Sequence, residues 1–313
     1  MINYFNNKFV IFLMGPTASG KSRLAMHLRK YLPVELISVD SALIYKTMDI
    51  GTAKPSSIEL LKHPHRLINL VDPSDLYSVF DFRRDVIQAI EEILYMNKIP
   101  LLVGGTMLYY YILLHGISIL PTANIELRNR LLYYHQISGK TFLHQYLSCV
   151  DRESANIIHP NDIHRIVRAL EVYLLTGNKM SVLKKTVSNS FPYKVIQFAL
   201  IPEKKFLYHQ ITIRFYHMLH QGFEYEVRKL FYRSDLNIKS PAIQCIGYRH
   251  MWLYFLNNIS YNDMIYRSII STRQFAKKQM TWLKNWNNLH ILSDNNINIL
   301  TSKVLNWIYL YYC

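Results

Sequence analysis

Three short, almost wholly apolar runs punctuate the first 115 positions: "FVIFLM" (9–14), "VELISV" (34–39) and "IPLLVGG" (99–105). Runs of this length, closed by glycine or aspartate, predict strands covered on both faces, which is the environment of a parallel sheet. The segments between them repeat apolar residues every three or four places instead. One helix is predicted from about Ser22 to Tyr31, and another begins near Ser78 with Val79, Phe82, Val86, Ile90 and Ile93 on one face. Strands alternating with helices predict an α/β fold, a parallel sheet flanked by helices.

From about Pro121 the strand signals stop. "NDIHRIVRALEVYLLTG" predicts a helix that Asp162 caps and Gly177 closes, with Ile166, Leu170 and Leu174 marking its apolar side. "YKVIQFALI" (193–201) has the composition of one more strand returning to the sheet, and the remainder is mostly helical. The expected organisation is therefore a core of residues 1–120 with 195–313, interrupted by an all-helical subdomain of residues 121–194.

The first run opens into "GPTASGKS". Gly15, Gly20, Lys21 and Ser22 satisfy the spacing GxxxxGK[ST] between a strand and a helix, which makes the fold P-loop NTPase-like. Main-chain N–H groups and the positive end of the helix would surround an anion, Lys21 would add a point charge, and the Ser22 hydroxyl is placed to hold Mg²⁺. The loop leaves the reaction open, because kinases, NTPases and enzymes that only bind a diphosphate can share it. The third run ends in glycines and Thr106, so Asp40, after "LISV", is the acidic candidate at a strand end. It would project at the sheet edge that carries the loop. A base accepting a proton, a metal contact through water and a helix cap are all roles open to it.

Charge adds a polyanion to the picture. Lys and Arg number 36 against 21 Asp and Glu, a formal net charge of +15, although a chain rich in Lys, Asn, Ile and Tyr also carries the stamp of AT-rich codons. No apolar stretch is long enough to cross a bilayer, and Met1 to Lys8 lack the marks of a secretory signal, so a cytoplasmic protein is expected. Cys149, Cys245 and Cys313 form no CxxC pair, and the 13 histidines, His159 and His164 among them, form no zinc pattern.

Taken in order, "GPTASGKS", "ISVDSALIYKTMDIGTAKPS", "HRLINLVDP", "LLVGGTMLYY", "HPNDIHRIVRALEV", "QCIGYR" and "TRQFAKKQMTWLK" resemble the tRNA dimethylallyltransferases, collinearly from about Phe9 to Trp286. The resemblance implies that the bound diphosphate belongs to dimethylallyl diphosphate and departs as inorganic diphosphate, while the allyl carbon passes to an exocyclic adenine nitrogen next to the anticodon. It assigns the donor to Gly15, Pro16, Thr17, Ala18, Ser19, Gly20, Lys21 and Ser22, with Mg²⁺ at Ser22. It makes Asp40 the base at the adenine amine, and gives Thr17 and Arg214 catalytic places beside it.

The same resemblance implies contacts with tRNA. They fall at Asp40, Ser41, Ala42 and Leu43; at Thr106 and Arg128; at His164, Arg165, Ile166, Val167 and Arg168; and at Gln244, Cys245, Ile246, Gly247, Tyr248 and Arg249. A last group is Lys277, Lys278, Gln279, Met280, Thr281, Trp282, Leu283 and Lys284. Gln244 stands where many relatives carry a basic residue. By spacing alone, Arg273, Lys277 and Lys284 share a basic helical face suited to RNA phosphates, while Phe275, Trp282 and Trp286 would pack on another, the tryptophans in the core. A target base has to leave its stack to be alkylated. A monomer suffices for one tRNA. The alternatives are a small-molecule P-loop kinase, which would use Asp40 on an acceptor hydroxyl, and a non-catalytic RNA-binding protein with a degenerate loop.

Overall fold

The computed structural model describes residues 8–118, 120–139, 141–185 and 191–312. The three apolar runs are strands β1 (Phe9–Met14), β2 (Val34–Val39) and β4 (Ile99–Gly104). The returning strand is β5 (Lys194–Leu200), and the short β3 (His65–Arg66) and β6 (His290–Leu292) complete the sheet in the order β3-β2-β4-β1-β5-β6. All neighbours pair in parallel. Neither edge strand was expected, because two or three residues give no periodicity to detect, and such brevity is what keeps a sheet edge from pairing with other chains.

Burial explains the uninterrupted runs. Phe9, Ile11 and Leu13 of β1 join Leu101, Val103, Phe198 and Leu200 on one face of the sheet. Leu24 and Leu28 of helix α1 (Lys21–Leu28) cover that face. The alternate residues Val10, Phe12 and Met14 are also fully buried, and the Phe12 ring lies 4.9 Å from that of Tyr110. Helices α2 (Ser57–Lys62), α3 (Val79–Tyr95) and α4 (Met107–His115) follow. The predicted start of α3 is a reciprocal cap: the Ser78 hydroxyl accepts from Asp81 N while the Asp81 carboxylate accepts from Ser78 N.

Two compact units divide the chain, Met1–Tyr110 with Pro192–Cys313, and Tyr111–Phe191. The expected limits, 121 and 194, are displaced because the first division falls inside α4, a continuous helix that no composition change marks. The inserted unit holds α5 (Ile125–Ser138), α6 (Phe142–Val150), α7 (Arg152–Ile157), α8 (Ile163–Thr176) and α9 (Met180–Leu183) around Leu131, Leu143, Leu147, Ile166 and Leu170. Asp162 caps α8 by accepting from Arg165 N, and Gly177 ends it in the left-handed conformation. Leu174, expected in the apolar face, is 44% exposed. The buried face of α8 runs through Val167, Ala169 and Val172 instead. It also buries Glu171.

After β5 come α10 (Lys204–His220), α11 (Phe223–Phe231), a 3₁₀ turn (Pro241–Gln244), α12 (Ile246–Phe255), α13 (Tyr261–Lys284) and, beyond β6, α14 (Ile297–Tyr312). Ile44, Tyr45 and Met48 enter the core of α10 to α13, which ties the chain after β2 to the C-terminal helices. Leu300, Val304 and Ile308 of α14 complete the core over α1 and the sheet. No helix among the described residues is long and apolar enough to cross a membrane. Cys149 and Cys245 are free thiols, and Cys313 lies outside the described residues.

The Glu171 carboxylate accepts from Asn124 N at 2.7 Å, from Arg128 Nε and Nη2 at 2.9 Å each, and from Arg168 Nη1 at 2.5 Å. Burial would raise its pKa, but these hydrogen bonds outweigh burial and lower it. Glu171→Ala is therefore expected to destabilise the protein by about 2 kcal/mol, a figure kept low because both arginines reach solvent. Chemical denaturation would measure the loss, and an unchanged midpoint would show that the cluster contributes nothing.

Candidate active site

The loop between β1 and α1 is built as its spacing predicts. Gly20 precedes the helix at φ +91°, a conformation open to glycine. Ala18 is also left-handed, at φ +60°, which a side chain tolerates only when neighbours hold it. The first amides of α1 have no acceptor within the helix and so face outward. Lys21 lies half-buried along the loop, its ammonium donating to Pro16 O at 2.6 Å. Removal from water lowers its pKa to about 7; the Asp40 carboxylate opposes that fall and the Arg214 guanidinium reinforces it. Ser22 is exposed at the start of the helix.

Asp40 stands immediately beyond β2, and its carboxylate accepts from Ala42 N at 2.8 Å. Next to it, Ser41 N donates to Thr106 Oγ1 at 3.1 Å, and Thr106 N donates to Val39 O at 3.3 Å. The turn after β4 thus holds the turn after β2. Arg214 comes from α10, where burial lowers its pKa against the pull of Asp40, and its Nη2 donates to Thr52 O at 3.2 Å.

One cavity of about 540 Å³ brings Thr17 and Ala18 of the loop together with Asp40, Thr106 and Arg214. Of the expected residues it is lined by Thr17, Ala18, Asp40, Ser41, Ala42, Thr106, Arg214, Gln244, Cys245, Ile246, Gly247 and Gln279. Asp40 is its one carboxylate and Arg214 its one cation among the described lining residues. The other ionisable lining groups are neutral at physiological pH. Burial pushes the Cys245 thiol and the Tyr45 and Tyr109 hydroxyls up to about 12. It also raises Tyr77, whose hydroxyl donates to Asp85 Oδ2 at 3.0 Å.

Several expected RNA contacts are placed otherwise. Tyr248 is fully buried with its ring edge-on to Phe223, and "QCIGYR" runs from the end of the 3₁₀ turn at Gln244 through the N-cap Cys245 into the first turn of α12. Of that block Gln244 and Arg249 are exposed, and Gln244 donates to Ile238 O. Leu43 is half-buried, and its carbonyl accepts from Asn69 N. On α13, Lys277, Lys278, Thr281, Trp282 and Lys284 are exposed, Met280 is half-buried, and Gln279 and Leu283 are buried. Arg273 leaves the expected basic face: it donates to Thr212 Oγ1 at 2.8 Å and lies over the Tyr208 ring. Trp282, expected in the core, is 40% exposed, whereas the Trp286 indole donates to Gln197 Oε1 at 2.7 Å. In the inserted unit His164 and Arg165 are exposed, Ile166 and Val167 are buried, and Arg128 and Arg168 are held by Glu171.

The residues missed from the sequence are mostly those that shape the cavity wall: Tyr45, Thr52, Tyr77, Tyr109, Phe215 and Phe275. Glu226 of α11, behind the wall, carried no signal at all. Its carboxylate accepts from the amides of Asp49, Ile50 and Gly51 at 2.8, 2.8 and 3.0 Å and from the Tyr248 hydroxyl at 2.5 Å. It thereby fixes the segment that ends in the Thr52 carbonyl on which Arg214 rests.

Fold and site together define a P-loop-like protein of the group-transfer class, with a glycine-rich loop after β1 and a strand-end carboxylate that meet at one cavity. Comparison with known proteins narrows this. The IPP transferase family model matches residues 43–286, and the chain belongs to that family. It is 51% identical over 300 residues, covering 95% of this chain and 93% of its relative, to the tRNA dimethylallyltransferase of Buchnera aphidicola subsp. Baizongia pistaciae. Among solved structures it is similar to the full-length tRNA isopentenylpyrophosphate transferase of Bacillus halodurans, with 33% identity and a TM-score of 0.72 over 97% of this chain and 96% of the other. It is also similar to a eukaryotic dimethylallyltransferase acting on tRNA, with 26% identity and a TM-score of 0.78 over 96% of this chain and 76% of that one. Membership of this family sets aside the kinase and the non-catalytic alternatives.

The lowered pKa of Lys21 has a measurable consequence. Above pH 7 the free loop holds a neutral amine, and an anion in the cradle favours the ammonium, so binding takes up a proton. Sulfate, an anion that does not itself titrate in this range, is expected to bind with uptake approaching one proton per site at about pH 8.5 and almost none at about pH 6. Calorimetry in buffers of different ionisation enthalpy measures this. Uptake that does not change between those two pH values would contradict it.

Proposed function

We propose that the protein transfers the dimethylallyl group of dimethylallyl diphosphate to the exocyclic amine of the adenosine immediately 3′ of the anticodon in tRNA, releasing diphosphate. The observation that supports this most is one cavity in which Thr17 and Ala18 of the phosphate loop, one carboxylate and one half-buried guanidinium meet. The diphosphate would lie on Gly15 to Ser22, with Lys21 and the first amides of α1 taking up charge as it departs. Arg214 supplies a second positive charge, held in place by Thr52 before substrate arrives, and the Thr17 side chain lies at the loop's opening into the cavity. The adenine amine attacks the allylic carbon, the carbon–oxygen bond breaks with its electron pair going to diphosphate, and Asp40 accepts the amine's proton. Such help matters because the amine's lone pair is delocalised into the ring.

The donor is an alkylating agent, and Cys245 lines the same cavity. Its raised pKa keeps it a thiol rather than a competing thiolate. An exposed hydroxyl at the helix start and a nearby strand-end carboxylate are hard oxygen donors of the kind Mg²⁺ accepts, though no cluster of His, Cys, Asp or Glu among the described residues could hold a metal by itself. Mg²⁺ would therefore be held by Ser22 together with the donor's own oxygens, and when bound it would neutralise phosphate charge.

The tRNA is met by the exposed Lys277, Lys278, Thr281, Trp282 and Lys284, by Gln244 and Arg249, and by His164 and Arg165. Arg128 and Arg168 serve chiefly to hold Glu171. The target adenine, flipped from its stack, enters beside Asp40, Ser41 and Thr106. One chain carries the lining of the cavity, so a monomer is taken as the acting form, and the cytoplasm, expected from the sequence, as its compartment.

Wild-type protein incubated with dimethylallyl diphosphate, Mg²⁺ and unmodified tRNA is expected to yield prenylated adenosine, detected by mass spectrometry of the nucleosides; no product would overturn the assignment. Asp40→Asn is expected to slow turnover by about 10²-fold to 10⁴-fold while tRNA still binds. Wild-type turnover in that variant would remove the base role alone.

A further inference from the structure

We propose that Gln279 is a positioning residue of the donor loop rather than a contact of the RNA, an inference that rests on the reading of the loop as the diphosphate site. Gln279 lies on α13 between the exposed Lys278 and the half-buried Met280, yet it is only 4% exposed and points the other way. Its Oε1 accepts from Thr17 N at 2.8 Å, and its Nε2 donates to Gly105 O at 2.7 Å. One carboxamide thus bridges the turn after β1 and the turn after β4.

The bridge has a built seat. A Cβ at Gly105 would fall 2.4 Å from Gln279 Nε2, so the absence of a side chain there admits the amide. Gly105 adjoins Thr106, whose hydroxyl holds Ser41 N beside Asp40. The spacing between the donor loop and the carboxylate therefore passes through Gln279. Within the loop, Ser19 N donates to Pro16 O at 3.3 Å, Lys21 Nζ donates to Pro16 O at 2.6 Å, and Ala18 keeps its left-handed backbone; none of these ties the loop to the turn after β4. Turning the Thr17 N–H toward Gln279 fixes which of the loop's amides face the cavity.

The test separates donor from RNA. Gln279→Met keeps the volume and loses both hydrogen bonds; Gln279→Glu keeps the acceptor for Thr17 N–H but sets a carboxylate against Gly105 O beside the anion site. For Gln279→Met, inorganic diphosphate is expected to bind about tenfold more weakly and the KM for dimethylallyl diphosphate to rise more than kcat falls, with a larger effect for Gln279→Glu. The affinity of either variant for tRNA without donor is expected to stay within about twofold of wild type, as a residue making no RNA contact requires. Lys278→Ala is expected to show the opposite pattern. Gly105→Ala, which displaces the amide while leaving Gln279 in the chain and also presses on Gly15 O, 3.2 Å from the added Cβ, is expected to weaken diphosphate binding at least as much, with tRNA affinity kept, should Gln279 variants fold poorly. Loss of tRNA affinity with diphosphate binding intact would overturn the proposal. Failure of the wild type to bind diphosphate would instead overturn the donor site on which it rests.

Discussion

The proposed donor site depends on the main-chain amides of the β1–α1 loop at one edge of a parallel sheet. Backbone groups can be aimed only by fixing φ and ψ, and the loop does this with Gly20 and with Ala18 in the left-handed region. Parallel order then brings the other requirements to the same edge. β4 lies between β1 and β2, so the turn after β4 can hold Asp40 on one side through Thr106 and Gln279 on the other through Gly105. A sheet with antiparallel neighbours would send one of these turns to the far end.

The electrostatics follow from burial. Lys21 and Arg214 are each made less willing to carry charge by the protein around them, and Asp40 is the one opposite charge acting on both. Lys21, only partly charged near neutral pH, and Arg214 stand against one carboxylate, an arrangement that suits the diphosphate proposed to enter. The tyrosines and the cysteine of the wall stay protonated, which leaves Asp40 as the one lining carboxylate for the proposed proton transfer. The cavity can then be largely apolar and aromatic without offering the allyl carbon a second nucleophile.

The basic balance of the chain resolves into different kinds of arginine and lysine. Arg128 and Arg168 are committed to buried Glu171 and Arg273 to Thr212, while Lys277, Lys278 and Lys284 stand free in solvent on α13. Only the second kind can exchange small counterions for RNA phosphates at little structural cost. Net charge alone could not make that division, because a guanidinium counts as +1 whether or not it already has a carboxylate.

What the residues alone determined was whatever is local or periodic. The buried strands β1, β2, β4 and β5, the start of α3, the caps of α8 and the phosphate loop were all readable, since each depends on neighbours within a few positions or on a strict spacing. The ordered motifs also carried the family. Tertiary structure alone decided the rest. It made Tyr248 a core residue, exposed Trp282, gave Glu226 the segment 49–51 to hold, and turned Gln279 away from its basic neighbours toward Thr17, 262 positions earlier in the chain. Side-chain direction on a long helix is fixed by what packs against it, and those partners come from distant segments whose approach no local pattern records.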